Sequence, residues 1–324
     1  MKDRFTDSFI KELHRIIPSR PELVREISRI LKIEKEPASR RLSGTVSFSI
    51  DEMGILSKEL DISLDSLLYK NENYLNIAHQ LESPWSKNSI NTLIDQISNN
   101  LKIINKISNK PYELGSFFNS LPIEIFIHFP NLTKFMLFKW GHFFIGTNEF
   151  YNYATWKVPE KFYNVKNQIE SWDSNPGKRL YVWDVSLIWI FLKEISYLSE
   201  LNIISIEDQK IIIDELHSML TYFEGYIKNI DDTRYQNIET YFYISNVPFG
   251  VNGSYLISEA GQIAFSSTHF SQSGLTTDYN GVKLIKDWML SLIKISTLIS
   301  NSGHKERHIF FKEQHQLIDY LLKS

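Results

Sequence analysis

Residues 11–44 carry the clearest chemical signal in this sequence. Nine Lys and Arg stand there against five Glu, a local excess of four positive charges. Clustered basic side chains neutralise phosphates and release counterions, which is the sequence-independent part of nucleic-acid binding. The rest of the chain leans the other way, with 22 Lys and Arg against 26 Asp and Glu over residues 71–324. The net charge of −3 hides this asymmetry. A basic head on a mildly acidic body directs the search for a nucleic-acid surface to the head.

Other residues could do chemistry and read more simply as structure. His304, His308 and His315 fall in one expected helix with Glu306 and Glu313. His304 and His308 share a face, as two metal ligands would, but no third ligand is evident. A capped, charged terminal helix is the simpler reading, with Arg307 pairing to a Glu or to the preceding backbone. Asp231 and Asp232 are adjacent carboxylates; paired carboxylates do acid–base work in some sites, and adjacent ones usually mark a turn. The segment Phe117–Phe144 concentrates aromatics and reads as a ligand pocket, a membrane-interface patch or a core helix pair. Pro122 and Pro130 cut it into pieces too short for an interfacial helix, so the core helix pair is preferred. Trp156, Trp172, Trp183, Trp189 and Trp288 fit the same core.

Composition narrows the classes. The 324 residues are 43% apolar and 23% charged, which is ordinary for folded globular chains and excludes wholesale disorder. With no cysteine there are no disulfides, thiolate zinc sites, iron–sulfur clusters or cysteine nucleophile. No Gly-x-Gly-x-x-Gly, phosphate-loop, His-Glu-x-x-His or Gly-x-Ser-x-Gly run occurs. No enzymatic activity, cofactor or metal is therefore expected. Met1-Lys2-Asp3-Arg4 leads into no apolar signal segment. The most apolar stretches, Pro122–Ile145 and Leu180–Leu198, are interrupted by Glu124, Lys134, Lys139, Asp184 and Lys193. Neither supplies 18 uninterrupted apolar residues, so a cytoplasmic chain with no membrane span is expected.

The elements that position the basic head are short helices. Phe9, Ile10, Leu13, Ile16 and Ile17 share a helical face that Pro18 ends. Leu23, Val24, Ile27, Ile30 and Leu31 form a second face, with Ser19 and Glu22 spaced as a capping box. After a turn at Lys32-Ile33 comes the segment Glu34–Ser43, and Gly44 stands where a left-handed residue ends a helix. Ser49 and Glu52 make another capping box, with Ile50, Met53, Leu56 and Leu60 on one face. Ser63 begins a last turn carrying Leu64, Leu67 and Leu68. Two short helices, a tight turn and a capped supporting helix are the layout of a helix-turn-helix.

These residues resemble the Cro/phage-repressor-like helix-turn-helix family, often called XRE-type. Leu31-Lys32-Ile33, Ser39-Arg40 and Gly44 match its turn, recognition helix and exit glycine without a gap. Phe48-Ser49-Ile50-Asp51-Glu52 looks like its supporting-helix start, and Leu60-Asp61-Ile62-Ser63-Leu64-Asp65-Ser66-Leu67 like its closing turn. The resemblance covers about the first fifth of the chain. There are departures. Lys32 replaces the usual turn glycine, Glu34 the usual Ser or Thr cap, and Arg41 an apolar position whose packing Leu42 is expected to supply. Pro37 is tolerated in the first turn, where its missing N–H has no intrahelical acceptor.

The resemblance implies that Lys35, Glu36 and Arg40 face base edges, Arg40 toward guanine and Glu36 toward cytosine. Ser39 and Arg41 would reach bases or phosphates. Arg20, Arg25, Lys32 and Thr45 would contact phosphates. A solvated charged face on a protein-interaction module is the competing reading.

Polar residues 71–89 read as a linker between a DNA-binding domain, 1–70, and a dimerisation or sensor domain, 90–324. Beyond the linker, Leu180–Leu201 with Ser205–Ile230, and Asp278–Ser300 with His304–Leu322, look like antiparallel helix pairs. A β-hairpin or two is expected between Glu239 and Thr268, around Glu259-Ala260-Gly261. The expected fold is mainly α, effectively all-alpha, with a small β-hairpin element. The expected function is a sequence-specific transcriptional regulator that binds double-stranded DNA as a homodimer, with room for a small-molecule or peptide effector. Leu284, Ile285, Trp288, Leu292, Ile309, Leu317, Ile318 and Leu321 are apolar positions that a dimer or an internal core would use.

Overall fold

The computed structural model describes residues 5–60, 62–68, 89–170, 176–228, 238–268, 271–301 and 303–321. Contacts divide the chain into two compact units. One comprises Met1–Ile77 with Thr276–Leu284, the other Ala78–Leu275 with Ile285–Ser324. Almost all of the polar segment 71–89 lies outside the described residues.

The first unit contains five helices near its start: α1 (Phe5–Ile16), α2 (Arg20–Leu31), α3 (Lys35–Leu42), α4 (Ile50–Leu60) and α5 (Leu64–Leu68). Their apolar stripes converge on one core that includes Phe9, Leu13, Leu23, Ile27, Ala38, Leu42, Phe48 and Leu56. The α2 helix packs on both α3 and α4, and α1 on α5. Two expected core positions lie outside it: Ile50 is 83% exposed and Leu68 63%. Each sits at an end of its helix, beyond the reach of the packed face.

The second unit overturns the mainly-α, all-alpha expectation. Among the described residues it holds a seven-stranded mixed sheet in the order β6-β5-β4-β1-β2-β3-β7. The strands are β1 (Tyr112–Phe118), β2 (Gly177–Asp184), β3 (Ile238–Ser245), β4 (Asn252–Ser258), β5 (Gly261–Thr268), β6 (Ser271–Thr276) and β7 (Ser296–Leu298). β1, β2 and β3 run parallel. β4 pairs antiparallel with β1, and β7 with β3. The architecture is α/β, a sheet with flanking helices: α6 (Ile90–Ser108), α7 (Ile123–Phe126), α8 (Pro130–Phe144), α9 (Phe162–Glu170), α10 (Leu187–Glu200), α11 (Ile206–Lys228), the part of α12 (Tyr279–Lys294) from Ile285 onward, and α13 (His304–Leu321).

The reason for the error is physical. Interior parallel strands are covered on both faces and lose the alternation that marks a half-exposed strand. A short apolar run of this kind cannot be told from a buried helix by period alone. Thus Leu180–Asp184 reads as the start of a helix but is the end of β2, with α10 beginning at Leu187. Phe117 and Phe118 close β1 rather than opening a helix pair. The expected Asp278–Ser300 helix stops at Lys294, where β7 follows. Strands β4 and β5 do form an antiparallel hairpin around Glu259 and Ala260. β3 joins no hairpin: it pairs in parallel with β2, 54 or more residues earlier in the chain. No helix among the described residues is long and apolar enough to cross a membrane.

Candidate functional site

The geometry around α3 is built from local interactions. Lys32 ends α2 in the left-handed conformation (φ 53, ψ 42), where the family resemblance expects glycine. The N–H groups of Lys32 and Ile33 both donate to the Ser28 carbonyl, and Ser28 Oγ donates to the Ile33 carbonyl at 2.5 Å. This arrangement satisfies the terminal carbonyls of α2 and turns the chain into α3. At the far end Gly44 takes φ +73. The N–H groups of Thr45 and Val46 then fold back onto the Arg40 carbonyl at 3.0 and 3.2 Å.

The cap expected at Ser19 does not form, because its side chain makes no cap hydrogen bond. Pro21 lies near this helix start and supplies no N–H of its own. The second capping box is present. The Glu52 N–H donates to Ser49 Oγ at 3.1 Å, and the Ser49 N–H to Glu52 Oε2 at 2.9 Å. Glu52 also receives Arg41: Nε reaches Oε2 at 3.0 Å and Nη2 reaches Oε1 at 2.8 Å. Arg41 Nη1 donates in addition to the Pro37 carbonyl at 3.2 Å. The hydrogen bond from Arg41 is the main reason that Glu52 titrates below the ordinary carboxylate range.

The residues expected to meet DNA separate into two groups. Lys32, Lys35, Glu36, Arg40, Arg20, Arg25 and Thr45 are exposed, and Ser39 is half-buried. The side chains of Lys32, Lys35, Glu36 and Arg40 make no hydrogen bond or ion pair among the described residues. Arg25 donates only a long 3.4 Å bond to the Pro21 carbonyl, and Thr45 meets Ser43 Oγ at 2.9 Å. Arg41 differs. Its guanidinium is drawn onto Glu52 and Pro37, away from any outside partner. Leu42 is buried and supplies the packing that an apolar residue at position 41 would have given. The result is a short helix with fixed ends that presents free charges of both signs.

The second unit holds the remaining candidates. His304 lies against Arg307 Nη2 at 2.7 Å, and Arg307 donates to the Ile299 carbonyl at 3.0 Å. His308 is 3.6 Å from Glu224. His315 stacks on His217, with Nδ1 atoms 2.7 Å apart and rings within 2° of parallel. The three α13 histidines therefore have three different partners. No group of three or more His, Cys, Asp or Glu among the described residues is placed to hold a metal ion. Asp231, Asp232 and Trp172 lie outside the described residues. Of the positions considered for a dimer, Ile285, Leu292 and Ile318 are buried inside the unit, while Trp288 and Ile309 remain exposed.

Three residues that the sequence reading did not single out as functional stand out here: His217, Glu124 and Arg179. Glu124 interrupts the apolar run Leu121–Phe126, and Arg179 abuts the run Leu180–Trp183. An isolated charge in a buried segment was the available signal. No family model, curated protein or solved structure matches this chain.

Proposed function

We propose that the first unit binds double-stranded DNA with α3 in the major groove, and that the protein is a sequence-specific transcriptional regulator. One observation carries the reading: Lys35, Glu36 and Arg40 are exposed, and unpaired among the described residues, on a helix whose ends and neighbouring Arg41 are held in place. A rigid helix with free charged ends is what base readout needs, because the major groove admits one α-helix and distinguishes base pairs by donor and acceptor patterns. Arg40 is assigned to guanine and Glu36 to cytosine. Lys32, Arg25, Arg20 and Thr45 are assigned to phosphates. The resemblance to XRE-type regulators points the same way.

A homodimer belongs to the proposal. A single module of this size binds non-specifically at roughly 10⁻⁴–10⁻⁶ M in physiological salt. Two modules on a two-fold site double the readout, with half-sites about one helical turn apart. The test is fluorescence anisotropy with the full chain and random-sequence duplex DNA across a salt series. Binding that weakens steeply with salt supports the reading. No binding at low salt would make the head a protein-interaction module instead.

A further inference from the structure

The second unit contains a cavity of about 310 Å³ with no assigned role. It sits beside the residues that follow the carboxyl end of β1, where the sheet changes from parallel pairing with β2 to antiparallel pairing with β4. In open α/β sheets ligands collect outside the carboxyl ends of strands, at the point where the connections diverge. The volume falls at the lower end of the range for small-molecule sites.

The chemistry of its walls is specific. Tyr181, Ser116, Ser254 and Phe265 are successive register partners across β2, β1, β4 and β5, so they share one sheet face. The last three of these line the cavity, and Tyr181 lines a smaller pocket that adjoins it through Ser116 and Glu124. Leu101 and Ile104 from α6 and Phe118 from β1 add apolar wall. The hydroxyls of Ser116 and Ser254 have no hydrogen-bond partner among the described residues.

Among the described residues, one charged residue lines the cavity, Glu124, and no Lys or Arg does. Its carboxylate has no ion pair and no side-chain donor among the described residues. Burial holds that carboxyl above the ordinary glutamate range. Glu124 also lines a third pocket of about 150 Å³, which it shares with Arg179, Tyr222 and Tyr226. Arg179 is engaged there, donating to Tyr112 Oη at 2.8 and 2.5 Å.

An unpaired carboxylate with aromatic faces and hydroxyl groups around it favours a cation and disfavours an anion. The oxygens beside Glu124 are the neutral ones of Ser116, Ser120, Ser254, Ser267, Asn100 and Asn252, and no group of three or more His, Cys, Asp or Glu among the described residues is placed to hold the several charged oxygens a hard metal ion prefers. The apolar wall instead requires a ligand with a hydrocarbon body. We propose that this cavity binds a small organic cation, a protonated amine on an apolar body, with Glu124 as its counter-ion. The proposal stands on the second unit alone and does not depend on DNA binding.

The test uses the full chain without DNA. Primary amines from butylamine to tryptamine are compared with their alcohol and carboxylate counterparts by thermal shift and isothermal calorimetry. At least one amine should raise the melting temperature and bind about tenfold or more tighter than its alcohol, the gain expected of a charge-assisted contact. Glu124→Gln should remove that advantage and leave alcohol binding unchanged. Should Glu124→Gln fail to fold, Asn100→Trp, which puts an indole in place of a lining amide, should abolish amine binding while the protein still melts cooperatively. No amine binding above its counterparts, tighter binding of a carboxylate, or an amine preference that survives these variants would each overturn the proposal.

Discussion

Arg41 of α3 and Glu52 of α4 form a two-pronged ion pair, 3.0 and 2.8 Å, with both side chains 19% exposed. The same Glu52 oxygen that meets Arg41 Nε also accepts the Ser49 N–H. One carboxylate therefore caps α4 and fastens α3 to it. Arg40, the preceding residue, makes no side-chain hydrogen bond or ion pair among the described residues. Adjacent arginines thus have separable roles.

That separation gives the first prediction. Arg40→Ala should leave the head's stability unchanged, weaken DNA binding, and lower the magnitude of the salt slope by about one. Arg41→Ala should cost the head about 1–2 kcal/mol, between the small value of exposed pairs and the larger one of buried pairs. Hydrogen exchange in α2, α3 and α4 measures the stability, and anisotropy measures the binding. Equal destabilisation by both variants would contradict the assignment.

Acid should loosen the same junction. The Glu52 carboxyl titrates lower in the folded chain than in the unfolded one, mainly because of the Arg41 hydrogen bond. The unfolded state therefore binds the proton more readily. The stabilisation is complete above the ordinary glutamate range and is lost as pH falls through the depressed folded value. Glu52→Gln should show a flatter acid profile of α3 and α4 protection than the wild type.

Lys32 offers a gain in stability. It holds φ 53 without the freedom of glycine, at a cost of roughly 1 kcal/mol. Lys32→Gly should recover about that much in chemical denaturation while removing one assigned phosphate contact. Gly44 is the mirror case. A Cβ there would meet no atom within 4 Å, so Gly44→Ala should cost about 1 kcal/mol through its φ of +73 alone.

The His217–His315 pair should make α11 and α13 sensitive to mild acid. Burial first, and then the charge of His217, lower the His315 value; Glu224 and Asp319 oppose this weakly. A histidine whose folded value is depressed contributes stability that is full above the ordinary histidine range. That stability is lost as pH falls below it. Protection of α11 and α13 should fall as pH drops below the ordinary histidine value of about 6.5 in the wild type and stay flat in His315→Gln. An equally steep fall in the variant would assign the effect elsewhere.

At Gly115 in β1 the opposite sheet face tolerates no side chain. A Cβ would overlap the Tyr255 ring and the Met289 sulfur, and both residues are fully buried. Gly115→Ala should cost about 2 kcal/mol or more, because a packed aromatic ring has nowhere to move. Thermal melting of the full chain checks it.

What the sequence determined by itself is the head. Its helices, the turn at Lys32, the exit at Gly44 and the Ser49–Glu52 cap all rest on residues three to five positions apart. Such contacts leave their spacing in the sequence. The partner of Arg41 lies eleven residues away and left no such mark. In the second unit the β4–β5 hairpin, whose strands are neighbours, and the helices α11 and α13 were legible, because each rests on local spacing. The parallel pairings of β1 with β2 and of β2 with β3 join segments more than fifty residues apart, and β1 and β2 carry no strict two-residue alternation of their own. Tertiary structure also decided the cavity. Ser254 joins Ser116 and Glu124 only because β4 returns beside β1, and no spacing rule connects it to them.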